Sequence, residues 1–158
     1  MKSGKDYIGL GVGAIIQNDK GEILLLKRPN TITPDRTTSD LWSVPGGEVE
    51  FMEKIEEAVK REVREEIGVE VEIIKNIGYH DQILELAKVH WHCNSFLCKI
   101  KSGIPKILEP KKCEKLEWFN PKNFPENCGI SHIVVPFYNL GWISENEYKR
   151  RLKVTKES

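Results

Sequence analysis

The sequence contains no run of 18 uninterrupted apolar residues, so no membrane-spanning helix is expected. It has no excess of either charge: 24 Lys+Arg stand against 24 Asp+Glu. That balance argues against a non-specific binder of nucleic acid or anionic membrane, which needs a basic surplus. Its four cysteines, Cys93, Cys98, Cys113 and Cys128, form no CxxC pair, so zinc ligation is not expected. Scattered thiols fit a reducing cytoplasm better than a disulfide scaffold. No signal-peptide cleavage pattern follows Met1–Asp6, and there is no internal repeat or low-complexity linker. What remains is 158 residues, 39% hydrophobic and 30% charged, a globular composition that excludes a disordered or fibrous chain. One domain is expected, with residues 1–7 as a tail, 8–125 as the core and 126–158 as C-terminal helices.

The apolar run Ile8–Gln17, with Gly at 9, 11 and 13, reads as a strand with close backbone contacts. Asn18-Asp19-Lys20-Gly21 is a turn signal, and Glu22–Arg28 is the next strand, so the pair is expected to form a hairpin. Pro29–Asp40 is a polar loop, and Leu41–Val44 is short and apolar before Pro45-Gly46-Gly47 breaks the chain. Lys54–Ile67 is a helix stopped by Gly68. Val69–Tyr79, Val89–Lys99 and Leu116–Phe119 read as strands. Ser131–Gly141 and Ser144–Lys153 read as helices, the first kinked or divided by Pro136. The pattern is that of a mixed α/β domain.

The helix at 54–67 carries charge on its packed side. On a wheel of about 100° per residue, Ile55, Ala58, Val59, Val63 and Ile67 form the apolar sector. Glu66 falls roughly 20° from the centre of that sector and Glu62 roughly 60° from it. Carboxylates aimed at a core are costly unless compensated, and two on one surface repel each other. A divalent cation removes both costs, and all-oxygen donors suit Mg²⁺ or Mn²⁺. A charge-rich surface helix with pairs such as Arg61–Glu65 reads equally well from the helix alone.

The flanking residues decide between the two. The segment reads Gly47-x5-Glu53-x7-Arg61-Glu62-Val63-x-Glu65-Glu66-x-Gly68-Val69. It resembles the box of the Nudix hydrolase family, MutT type, G-x5-E-x7-R-E-U-x-E-E-x-G-U with U a bulky aliphatic residue. Every specified position matches, at a chance on the order of 10⁻¹⁰ per starting position. Pro45-Gly46-Gly47 at the entry and the acidic loop before Trp118 extend the likeness over residues 8 to 125.

The resemblance implies an α+β Nudix fold, an α/β/α sandwich around a central mixed sheet. It implies hydrolysis of a nucleoside diphosphate linked to another group, with Mg²⁺ or Mn²⁺ as cofactor. Glu62, Glu65, Glu66 and the Gly46 carbonyl match the expected metal ligands, with Glu65 a ligand or base. Glu53 and Arg61 match positions that orient the loop on the helix. Glu109 or Glu114 in the acidic loop is expected as an extra base or ligand, Glu109 preferred. Arg28 at the second strand's end and Arg36 in the long loop are candidates for the phosphates, and Trp42, Trp91, His90 and His92 for stacking on a base. Strand alternation puts Trp91 opposite His90 and His92, so they cannot all serve.

Leu84-Glu85-Leu86 stands about 15 residues beyond the box, where ADP-ribose-type members carry Pro and dinucleoside-polyphosphate types carry Tyr slightly further on. A nucleoside triphosphate, oxidised or non-standard purine included, is therefore the expected substrate. ADP-ribose or another nucleoside-diphosphate sugar is the alternative, and a non-catalytic nucleotide sensor a third. No membrane or nucleic-acid polymer is expected as partner, and the family suggests a homodimer. The basic run Lys149–Lys153 reads as a solvated helix face. Net charge is +1 over 1–47, −5 over 48–70 and +4 over 71–158, so the overall zero conceals an acidic box.

Overall fold

A computed structural model describes residues 1–29 and 41–157, with side chains to 153. The loop at 30–40, and Arg36 with it, lies outside the described residues. Strand β1 (Gly9–Ile16) is central to a four-stranded mixed sheet of order β4-β1-β6-β5. It pairs parallel with β6 (Val89–Ser102) and antiparallel with β4 (Gly46–Glu48), while β5 (Glu70–Leu84) pairs antiparallel with β6. A second, antiparallel sheet has the order β3-β2-β7, from Trp42–Ser43, Ile23–Lys27 and Lys115–Phe119.

The expected β1–β2 hairpin is corrected. Asn18 and Gly21 close the turn, with a Gly21 N–H to Asn18 carbonyl bond of 3.0 Å, but only Gln17 and Ile23 bridge across it. Both edges of β1 are taken by β4 and β6, so β2 leaves for the other sheet. Every described residue of β2 except Lys27 is buried, because apolar groups cover both its faces.

Helix α1 (Ile55–Ile67) seals one face of the mixed sheet. Ala58, Val59, Val63 and Ile67 are fully buried against Val12, Ala14, Phe96 and Cys98. That stripe follows the 3.6-residue period read from the sequence, and burial of its valine and isoleucine side chains contributes roughly 1.5–3 kcal/mol each. The opposite face is covered by a π-helical turn (Ile130–Val134), α2 (Val135–Asn139) and α3 (Glu145–Glu157), over Ile15, Ile23 and Leu25. Pro136 has no N–H to bond the carbonyl of His132, so the α-ladder cannot run through it. The wide turn before Pro136 divides the segment that the sequence joined.

Two further expectations change. Residues 1–7 are no loose tail: Gly4 is buried and accepts a bond from the His90 N–H at 2.8 Å. The basic run is no solvated face throughout, since Arg151 is 6% exposed. Its guanidinium bonds Glu147 at 2.7 Å and the Pro125 carbonyl at 2.8 Å, and lies 3.8 Å from the Phe124 ring centroid. Arg150 reaches Glu126 and Glu147. All four cysteines are free and buried.

Arg150 and Arg151 pull the Glu147 carboxyl down from 4.5 to about 2. A lowered folded-state value stabilises the fold above 4.5, and this contribution is lost as pH falls through 2. Thermal unfolding from pH 6 to 2 is expected to show a Tm gap between the native protein and Glu147→Gln that shrinks steadily below pH 4.5. A gap independent of pH would contradict the pairing.

Candidate active site

The acidic box folds into strand β4, a connecting loop and helix α1, and two glycines let these approach. Gly47 lies against Glu62: a Cβ there would sit 2.3 Å from the Glu62 carboxyl carbon. At Gly46 a Cβ would meet the Val12 carbonyl oxygen at 2.1 Å. The side chain of Glu62 is only 12% exposed. Glu66, one turn on, accepts a 3.3 Å bond from the Gly46 N–H. Both carboxylates therefore face the β4 backbone, where the wheel put them.

Arg61 organises the acidic side. Its guanidinium bonds both oxygens of Glu53, at 2.7 and 3.0 Å, and the Glu48 carbonyl at 2.9 Å. It also reaches Glu62 at 2.9 Å and Glu65 at 3.3 Å. The loop from Glu48 to Glu53 is thus clasped to the helix, and Glu53 in turn accepts the Glu50 N–H at 2.9 Å. A bidentate guanidinium fixes direction as well as charge.

Burial pushes the Glu66 carboxyl from 4.5 up to about 8, with Glu62 and Glu109 adding repulsion and Gly46 and Arg28 opposing it. Burial also raises Glu62, against the pull of Arg61. The acidic loop is tied to the C-terminal end of α1: the Lys106 N–H bonds the Ile67 carbonyl at 3.0 Å and the Leu108 N–H that of Glu66 at 3.1 Å. This brings Glu109 to the box carboxylates. Lys112 bridges Glu109 at 2.8 Å and its charge acts on Glu62. Glu114 instead pairs with Lys27 at 3.4 Å. Sequence reasoning missed Lys112; its spacing of three from Glu109 was the available signal.

A cavity of about 340 Å³ opens beside the box. Arg28, Gly46, Gly47 and His132 line one end, and Trp91 lines the other. Strand β1 contributes Gly11 and Val12 to its wall, while Trp91 packs on Gly9 and Val44 on Gly13. Burial lowers His132 to about 4, helped by Arg28, so its imidazole is neutral at pH 7. No periodicity marks His132, which reaches the cavity through the π-helical turn. Trp42 is corrected as a stacking residue: it is 8% exposed and meets Phe119 edge-on at 4.9 Å, within the core. Its neighbour Leu41 lines the cavity instead. His92 lies on the other face, bonded to Asp81 at 2.7 Å and stacked on Tyr79.

Glu62, Glu65, Glu66 and the Gly46 carbonyl offer only oxygen donors, the chemistry that would suit a hard divalent cation. The disfavoured ionisation of Glu66 gives such a cation something to relieve. Among the described residues no group of three or more His, Cys, Asp or Glu side chains is already placed to hold a metal ion.

A NUDIX domain model matches residues 8–133. The chain belongs to the Nudix hydrolase family. It is 35% identical over 114 residues to a CTP pyrophosphohydrolase of Escherichia coli, covering 70% of this chain and 75% of that protein. It is 40% identical over 114 residues to an 8-oxo-dGDP phosphatase of Danio rerio, covering 71% of this chain and 32% of that one. The chain spans about a third of the length of two curated relatives that it matches. A MutT NUDIX hydrolase structure from Burkholderia pseudomallei superposes with a TM-score of 0.73 at 31% identity, over 88% of this chain and all of that one. No helix among the described residues is long and apolar enough to cross a membrane.

A carboxyl raised in the folded state destabilises the fold as pH climbs above its unfolded value. Glu66→Gln removes that penalty, so metal-free Glu66→Gln is expected to melt several degrees above the native protein at pH 8 and to converge with it near pH 4. Equal melting temperatures at pH 8 would show that Glu66 is not strained.

Proposed function

We propose that this Nudix hydrolase is a Mg²⁺-dependent pyrophosphohydrolase of nucleoside triphosphates, oxidised or otherwise non-standard purine triphosphates among them. The observation that carries the reading is the half-buried pair Glu62 and Glu66, packed against Gly46 and Gly47, two glycines that line a cavity together with Arg28. At about 340 Å³ this cavity is at the small end of ligand pockets and matches one nucleoside.

Glu62, Glu65, Glu66 and the Gly46 carbonyl would hold Mg²⁺, with Mn²⁺ as substitute. The bound ion would cancel the negative field that repels a triphosphate and make a water nucleophilic near neutral pH. Arg28 offsets phosphate charge beside Glu66. Arg61 and Glu53 fix the helix and loop that carry these donors. Glu109, held by Lys112, accepts the proton as the water oxygen bonds to phosphorus and the anhydride P–O bond breaks. Transition-state charge builds on the departing phosphate group, and Arg28 at this end of the cavity would offset part of it. Four free cysteines support a reducing, cytoplasmic setting.

The test is a panel of 8-oxo-dGTP, dGTP, CTP and ADP-ribose with Mg²⁺, Mn²⁺ or chelator, products separated by chromatography. Release of nucleoside monophosphate from a triphosphate, abolished by chelator, is expected. Glu66→Gln is expected to lower kcat by about 100-fold or more. AMP and ribose phosphate as the main products would favour the sugar-nucleotide reading, and no turnover with either metal would remove the enzyme reading.

A further inference from the structure

The far end of the cavity is not built by the Nudix box. Lys2, Ser3 and Lys5 line it, with Gln82 and Trp91 from the sheet. These three residues belong to a short loop that folds on itself. The Gly4 N–H bonds the Tyr7 carbonyl at 2.8 Å, and the Asp6 N–H bonds the Lys2 carbonyl at 2.8 Å. The loop is fastened to β6 by the His90 N–H, which donates to the Gly4 carbonyl at 2.8 Å. Gly4 has a φ of +76°, and a Cβ on it would stand 2.3 Å from the Trp91 indole. The same indole lies so close to Gly9 that a Cβ there would be 2.4 Å away. Trp91 is thus held by glycines of both the loop and β1, and the loop cannot seat itself with a larger residue at position 4.

Gly13, opposite Gly46, and Gly9, opposite Trp91, mark the two ends along β1. They are four residues apart, about 13 Å of strand. A nucleotide with its phosphates at the Glu62–Glu66 end would direct its base towards the loop. We infer that the loop Lys2–Tyr7 is the end wall of the nucleoside pocket and sets the enzyme's selectivity for the base. It acts by fixing the pocket's depth. The inference rests on the proposed nucleotide hydrolysis, and it assigns these residues to binding rather than to chemistry.

Two full-length variants test it. Gly4→Val dislodges the loop, which faster hydrogen exchange of the His90 amide reports independently of activity. Ser3→Trp fills the far end while leaving the loop in place. With Mg²⁺, kcat and KM are compared for CTP, GTP and a GTP analogue carrying a bulky N²-substituent. Gly4→Val is expected to raise kcat/KM for the bulky analogue relative to GTP by about tenfold, through KM. Ser3→Trp is expected to lower kcat/KM for GTP relative to CTP by a similar factor. Unchanged ratios in Ser3→Trp, or in Gly4→Val with faster exchange at His90, would overturn the inference while leaving the hydrolase reading intact. An equal loss of kcat for all three substrates would also overturn it. Failure of the native protein to hydrolyse any of them would overturn the functional reading and this inference with it.

Discussion

The guanidinium of Arg61 is shared by Glu53, Glu62, Glu65 and the carbonyl of Glu48. Through it a loop of strong negative charge closes on a helix that is itself acidic, and without it the two would repel. Gly47 sets how close they come, since a methyl group there would overlap Glu62, while Gly46 lets β4 lie against the Val12 carbonyl of β1. The distance between β4 and α1 is therefore fixed from both sides, by an attraction that draws them together and by contacts that only hydrogen atoms satisfy.

This clasp explains why carboxylates sit where an ordinary amphipathic helix would carry apolar groups. Ala58, Val59, Val63 and Ile67 anchor α1 over Val12 and Phe96, so the helix cannot rotate to release Glu62 and Glu66 to water. The strain is concentrated on Glu66, whose carboxyl burial drives to about 8. Stability is yielded at the place where the proposed cation would bind. Arg28, His132 and Gly11 of β1 line the cavity that opens beside Gly46 and Gly47.

Much of this was legible in the residues. The helical period of 54–67 located the core stripe, and the spacing of Glu53, Arg61, Glu62 and Glu66 located the site, because both are local in sequence. The divergence of β1 and β2 was not legible, since it depends on β6, some 80 residues away, occupying an edge of β1. Trp42 looked like a stacking surface because composition does not tell a buried aromatic from an exposed one; its contact with Phe119 is long-range. His132 and the 2–7 loop reach the cavity only through tertiary packing. Arg151 read as a surface charge because, beyond Glu147 on its own helix, its partners are the Pro125 and Phe124 backbone carbonyls, which carry no sequence signature.

The central claim is that the packed carboxylates are tolerated for the sake of a divalent cation. It is tested most directly by thermal unfolding with and without millimolar Mg²⁺, in the native protein and in Glu66→Gln. A ligand that binds only the folded state raises Tm with its concentration. The account predicts a Tm that climbs with Mg²⁺ in the native protein and a response lost or strongly reduced in Glu66→Gln. An equal Mg²⁺ response in both proteins, or none in either, would contradict it.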